Sequence, residues 1–383
     1  MKIVCASSVL YGEEAFSSLG EVTVLPEESI RRDALCGADI LVTRSKTRIG
    51  RDLLEGTGVR FVGCTVSGVD HMDTDYLNDR GLAWCAAAGC NAPSVAEYVV
   101  SALLTLTRRH GLNLSGKTVG VIGVGHIGAR VVRMARAMGL DILMNDPPRR
   151  AATGDPQFLP LERVLEASDI LTLHVPLTDA GPCATRRMAD CPFFGRMKPG
   201  CLFINTARGE VVDTEALLLA LERGVVLQAA LDVWENEPDI DRRVLEAVDI
   251  GTPHIAGYSF EGRLNGTHIV YRELCHFLET EPAWTPPRIS PELRPDPLDL
   301  DARGRLDEEV LWEMVRHAYD ADADSRCFKA GVWNGGETLA EPFVRYRRAY
   351  PDRPGFSDHS VRLAHAEPAL VEKARALGFT IIQ

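Results

Sequence analysis

Three side chains of unlike chemistry follow three apolar runs in the second half of the chain: Arg208 in FINTARGEVVD, Glu237 in LDVWENEPD and His254 in TPHIAGY. Oxidation of a hydroxy acid needs a base for the hydroxyl proton as hydride leaves the carbon. It also needs a cation for the carboxylate and a group that holds the charge state of the base. His254, Arg208 and Glu237 are the residue types for those parts, since a carboxylate favours the imidazolium beside it and a guanidinium grips a carboxylate through paired hydrogen bonds. Each also has a plainer reading: Arg208 as a surface ion pair, Glu237 as a helix-capping acid, His254 as a loop hydrogen bond. The catalytic reading therefore depends on elements that bring the three together.

A hydride needs an acceptor, and GVIGVGHIGARVVRMARAMGLDILMND supplies a site for one. Gly123, Gly125 and Gly128 stand in G-x-G-x-x-G spacing directly after a strand-like run and directly before a helix-like one. Glycines there permit a tight turn and close approach of backbone to a pyrophosphate, whose charge faces the N–H groups of the helix N-terminus. A plain glycine-rich turn would not account for Asp146, which ends the next strand-like run 18 residues past Gly128. At that distance a carboxylate accepts hydrogen bonds from the adenosine ribose and repels a 2′-phosphate, so NAD is expected over NADP. Arg149 and Arg150 are the residues that argue the other way.

Those residues need a sheet. KTVGVIG, DILMND, DILTLHVP, GCLFINTA, LQAALDVW and DIGTPHI are six strand-like runs separated by helix-compatible stretches between about Lys117 and Ile255. They predict a doubly wound parallel sheet, with ligands outside the carboxyl ends of its strands, where Arg208, Asp232, Glu237 and His254 all fall. The first ninety residues show the same alternation in KIVCAS, EVTVL, ADILVTRS, RFVGCTVSG and LAWCAA, which predicts a second parallel sheet. Between the two, NAPSVAEYVVSALLTLTRR reads as a helix apolar almost all round, with Asn91 able to cap it and Pro93 in its first turn. IVYRELCHFLE reads as a helix returning to the first body. AWTPPRISPELRPDPLDLDARG is a proline-rich linker, and LDEEVLWEMVRHAYDA beyond it is amphipathic.

Composition narrows the classes further. A chain of 383 residues exceeds one ordinary core and predicts two or three domains. Its net charge of −12 lacks the basic face of a sequence-independent nucleic-acid binder. The ten cysteines include no C-x-x-C pair, the pattern of reduced thiols rather than of a disulfide or zinc framework, so a cytoplasmic protein with no metal is expected. No run reaches the roughly 18 apolar residues of a membrane span, and the N-terminal apolar run is too short for a signal peptide.

With G-x-G-x-x-G, N-x-x-R-G-x-x-V-D, D-V-x-x-x-E-P and P-H in order over about residues 40–270, the chain resembles the D-isomer-specific 2-hydroxyacid dehydrogenases. The resemblance implies two Rossmann-like domains, the cofactor domain inserted in the substrate domain. It implies a substrate-binding domain over 1–92 and 265–285, an NAD-binding domain over 93–264 and a C-terminal α+β dimerisation domain over 286–383. Catalytic roles fall on Arg208, Glu237 and His254. NAD contacts fall on Asp146, Val175, Thr206, Ala207, Arg208, Asp232 and Gly257, beside the three glycines. RS at 44–45, AGCNA at 88–92, NDPPR at 145–149, TDAGPCAT at 178–185 and HIAGYSFEGRLNGT at 254–267 are similar to one branch of the family, which acts on a phosphorylated four-carbon hydroxy acid. By that likeness, substrate contacts fall on Ser45, position 66 and Tyr258. The branch tends to carry threonine at 66, where this chain has Val66, so an anion nest of backbone N–H groups at Val66, Ser67 and Gly68 is the expected substitute.

Two alternatives bear on function. A branch acting on the shorter 3-phosphoglycerate shares the backbone motifs. The tail speaks against it here, because it does not read as the alternating strands and helices of a small regulatory module. An NADH-sensing corepressor on the same fold would bind without turnover. The resemblance also implies a homodimer, expected here to form on Leu311, Trp312, Val315 and Ala318 of the amphipathic helix. Arg345, Arg347, Arg348 and Arg353 read as a solvated basic face, or, more sharply, Arg347 reaches across the dimer to the substrate phosphate beside the partner's Arg44 and Lys46.

Overall fold

In a computed structural model, residues 1–287, 289, 294–333 and 338–382 are described. The chain forms two units, Met1–Ala92 with Tyr258–Leu293, and Pro93–Gly257 with Arg294–Gln383. The return to the first unit thus comes at Tyr258 rather than at 265. The segment expected to stand apart from 286 onward belongs, from Arg294, to the same unit as the dinucleotide fingerprint. Residues 288 and 290–293 of the proline-rich stretch lie outside the described residues.

The first unit is built on a parallel sheet of five strands, β1 (Lys2–Ala6), β2 (Glu21–Leu25), β3 (Ile40–Thr43), β4 (Phe61–Cys64) and β5 (Ala83–Ala86), in the order β2-β1-β3-β4-β5. β3 and β4 are buried at every position, as parallel strands covered on both faces must be. Helix Phe260–Phe277 returns to this sheet and buries Val270, Tyr271 and Leu274 in its core. Ser259 caps it, the hydroxyl accepting the Gly262 N–H at 2.9 Å.

The second unit holds six parallel strands: β6 (Thr118–Ile122), β7 (Asp141–Asn145), β8 (Ile170–Leu173), β9 (Cys201–Asn205), β10 (Val226–Leu231) and β11 (Ile250–Gly251). Their order, β11-β10-β9-β8-β6-β7, reverses between β6 and β8. That reversal opens a crevice at the carboxyl ends of those two strands. All six strands expected between Lys117 and Ile255 are present. Helix Ala92–Arg109 is buried over most of its length, its Tyr98 hydroxyl 2.7 Å from that of Thr252.

The C-terminal segment adds β12 (Leu298–Asp301), β13 (Ser360–Ala364) and β14 (Thr380–Ile382), a parallel sheet in the order β12-β13-β14. Helix Pro368–Leu377 packs on the fingerprint helix His126–Ala137. The tail therefore carries strands and helices, as the expected α+β segment should, but their alternation did not show in the apolar pattern because the strands are short and β12 and β13 carry charged residues. Helix Asp307–Ala318 is also not what its amphipathic pattern suggested. Leu311 and Val315 are 2% and 1% exposed and belong to the core of their own unit. Trp312 lies between the Arg108 and Arg316 guanidiniums, 4.2 and 4.7 Å from its ring centre. The face expected to make a dimer is already covered. Among the described residues no helix is long and apolar enough to cross a membrane.

Candidate active site

The fingerprint lies at the β6/β8 crevice and its three glycines serve different ends. Gly123 has φ +83, a left-handed conformation, and a Cβ there would come within 2.7 Å of the His174 carbonyl. A Cβ on Gly128 would lie 2.0 Å from the Gly123 oxygen, so the helix could not close on the turn. A Cβ on Gly125 would meet nothing within 4 Å. Gly125 also begins the helix without any side-chain cap. Open space at an uncapped helix N-terminus fits a pyrophosphate, and these residues accordingly suit a bound NAD.

Asp146 follows β7 as expected but has structural work as well. One oxygen accepts the Val124 N–H at 2.8 Å and the other accepts the Arg149 N–H at 3.0 Å, capping helix Pro147–Thr153. Arg149 turns its guanidinium to the Val124 carbonyl and over the Phe158 ring. That cation is engaged with the protein, which fits NAD better than NADP. Val175 touches the turn at Gly123, and Thr206 bonds through its hydroxyl to His174 Nδ1 at 3.3 Å. His174 was not singled out in the sequence. Its other nitrogen meets the Thr172 hydroxyl at 3.0 Å, and burial pushes the imidazole down to about 3, so it acts as a neutral spacer that orients Thr206.

β9, β10 and β11 are neighbours, with Asn205, Leu231 and Gly251 level across them. Arg208, the 232–237 loop and His254 thus leave one edge together. Gly209 makes the fit tight: a Cβ there would lie 1.8 Å from the Trp234 carbonyl carbon, so backbone lies on backbone beside Arg208. The Arg208 Nη1 donates to the Ala207 carbonyl at 2.7 Å, and the Ala207 N–H to the Asn205 side chain at 3.0 Å.

His254 Nδ1 and Glu237 Oε2 are 2.8 Å apart, while Glu237 Oε1 accepts the Trp234 N–H at 2.9 Å. With Nδ1–H donating to the carboxylate, Nε2 is the nitrogen left to take a proton. Burial pushes the Glu237 carboxyl up. The His254 charge and hydrogen bond, the Trp234 N–H and Arg347 outweigh it and hold Glu237 below the usual carboxylate range. His254 itself has φ +56, an uncommon conformation for a side chain of its size. Asp232 holds it there. Its backbone carbonyl accepts the His254 N–H at 2.7 Å, and its carboxylate accepts Ile255 and Ala256 N–H and the Thr252 hydroxyl at 2.8, 2.9 and 2.7 Å. The Asp232 carboxylate is thus engaged inside the loop that carries His254, and burial pushes it up from the usual range. Gly257 ends this loop.

Arg347 belongs to the same unit, where its guanidinium lies over Phe343 and its charge acts on Glu237 of its own chain.

Ser45, Val66, Ser67, Gly68 and Tyr258 belong to the first unit. Ser45 is exposed just past β3. The Ser67 hydroxyl accepts the Gly89 N–H at 2.8 Å. None of Val66, Ser67 and Gly68 has a positive φ. Burial lowers the Arg44 guanidinium; Tyr258 opposes that and the nearby Arg263 charge adds to it. Two cations and a phenol thus stand near one another in this unit.

A doubly wound sheet with such an edge is the frame of an NAD-dependent 2-hydroxyacid dehydrogenase. Residues 95–256 match the NAD-binding domain of the D-isomer-specific 2-hydroxyacid dehydrogenases. Erythronate-4-phosphate dehydrogenase of Salinibacter ruber is 42% identical over 98% of this chain and 97% of its own. That of Pectobacterium carotovorum is 42% identical over 99% and 98%. The structure of D-lactate dehydrogenase from Aquifex aeolicus, complexed with NAD and lactic acid, has a TM-score of 0.58 and 26% identity over 72% of this chain and 95% of its own. The chain belongs to the erythronate-4-phosphate dehydrogenase family, and NAD is its cofactor.

Proposed function

We propose that the protein oxidises 4-phospho-D-erythronate to (3R)-3-hydroxy-2-oxo-4-phosphooxybutanoate in pyridoxal 5′-phosphate biosynthesis. The observation that carries the chemistry is the His254–Glu237 pair at 2.8 Å, past the carboxyl ends of β10 and β11 in the sheet that carries the dinucleotide turn. The full-length likeness to enzymes named for that substrate supports its identity. His254 Nε2 takes the hydroxyl proton as C2 gives up hydride, and Glu237 stabilises the resulting imidazolium. Arg208 holds the substrate carboxylate. NAD, when bound, supplies the hydride acceptor. Ser45, Tyr258 and the backbone at Val66, Ser67 and Gly68 contact the substrate, with Arg44 suited to its phosphate. Each described cysteine is free, which supports a reducing compartment such as the cytoplasm. A homodimer belongs to the same proposal and has its support in the family resemblance.

Turnover of purified protein with NAD tests this reading. A kcat/KM for 4-phospho-D-erythronate well above that for 3-phosphoglycerate is expected. The reverse order would reassign the substrate, and NADH binding with no turnover of either acid would favour a sensor.

A further inference from the structure

Arg353 ends the arginine-rich stretch FVRYRRAYPDR, which by composition faces water. Arg345 and Arg348 do. Arg353 is only 7% exposed, and a buried guanidinium is tolerated only when paired and hydrogen-bonded. Its pair is the buried Glu97, with Nη1 donating to Oε2 at 3.3 Å. The other Glu97 oxygen accepts the Phe356 N–H at 2.9 Å, and the Tyr319 ring lies 3.9 Å from the guanidinium carbon. Nη2 donates to two backbone carbonyls, those of Ser94 and Ala256, each at 3.2 Å.

Those carbonyls occupy particular places in the chain. The chain enters this unit at Pro93 and leaves it at Gly257, so each carbonyl lies one residue inside a crossing. Ala256 is also two residues past His254. Its N–H is held by the Asp232 carboxylate at 2.9 Å and its carbonyl by Arg353. The residue is thus fixed from both sides, and the left-handed His254 has little freedom to relax.

We infer that Arg353 is a positioning residue for the reaction: from the C-terminal segment it fixes the loop His254–Gly257, and through that loop the aim of the imidazole at its substrate. The inference rests on His254 being the base. A loosened loop misplaces Nε2 and weakens the Glu237 contact together.

Arg353→Lys keeps a positive charge beside Glu97, but one ammonium cannot span Glu97 and both carbonyls in the fork geometry of a guanidinium. With 4-phospho-D-erythronate its kcat should fall by about tenfold or more, while the KM for NAD stays within about twofold of wild type. The acidic limb of its kcat profile should move to lower pH, as it should in Glu237→Gln, because a weaker carboxylate contact favours the imidazolium less. A merely structural arginine would lower Tm and leave that limb in place. Wild-type kcat and profile, measured well below the variant's Tm, would overturn the inference. Should Arg353→Lys not fold, Glu97→Gln weakens the anchor while keeping its shape, with the same expected and overturning results. His254→Ala separates the two failures. Near-wild-type turnover in that variant removes the base itself, whereas an inactive His254→Ala beside an unaltered Arg353→Lys removes only the role of Arg353.

Discussion

Glu237 does two tasks with its two oxygens, fixing the 234–237 turn with one and the imidazole with the other. Its carboxyl ionises below the unfolded value of about 4.3. The stabilisation is therefore fully present above that value and is lost as pH falls through the folded one. Urea denaturation of wild type and Glu237→Gln should differ most above the ordinary glutamate pKa of about 4.3 and converge as pH falls below it. A difference that stays constant over that range would contradict the assigned charge. That Arg208, Glu237 and His254 leave one sheet edge was legible in the sequence because each comes within a few residues of the end of an apolar strand. The second role of Asp146, the enclosure of Asp232 and the neutral His174 were not. Each depends on which N–H or hydroxyl a side chain meets after folding, and residue type does not encode that.

At the scale of elements, the fingerprint separates glycines that fold the turn from the glycine that admits the ligand. Gly128→Ala should cost about 1–3 kcal/mol, since its Cβ would meet backbone. Gly125→Ala, facing open space, should change stability by no more than about 0.5 kcal/mol yet weaken NAD binding. Calorimetry and NADH titration of both variants test the pair, and an unchanged NADH affinity in Gly125→Ala would contradict the cradle. The central strands of both large sheets, such as β3, β4, β8 and β9, were readable because parallel strands buried on two faces are continuous apolar runs. β12, with the sequence LDLD, offers no such run. Helix Asp307–Ala318 showed its apolar stripe but not what covers it, since a stripe packs equally well on its own chain or on another.

The whole molecule adds what local patterns cannot carry. Arg353 and Glu97 are 256 residues apart in sequence, so an arginine in a basic stretch gave no sign of burial. The same distance problem hid the merging of the C-terminal segment with the NAD-binding segment into one unit. Arg347, acting on Glu237 of its own chain, leads to a further expectation. An equimolar mixture of Arg347→Ala and Arg208→Ala proteins should show no more activity than the two measured separately. Activity regained on mixing would mean that Arg347 serves a neighbouring chain.

The central claim is that His254, held by Glu237 and Asp232 on the carboxyl edge of the NAD-binding sheet, is the base. Turnover and NADH binding measured on the same His254→Ala preparation test it most directly. The expected result is a kcat lowered by at least about 100-fold with NADH affinity retained, in keeping with the usual contribution of a general base. Turnover close to wild type, with substrate and NADH bound, would contradict the account and leave His254 as a loop hydrogen bond.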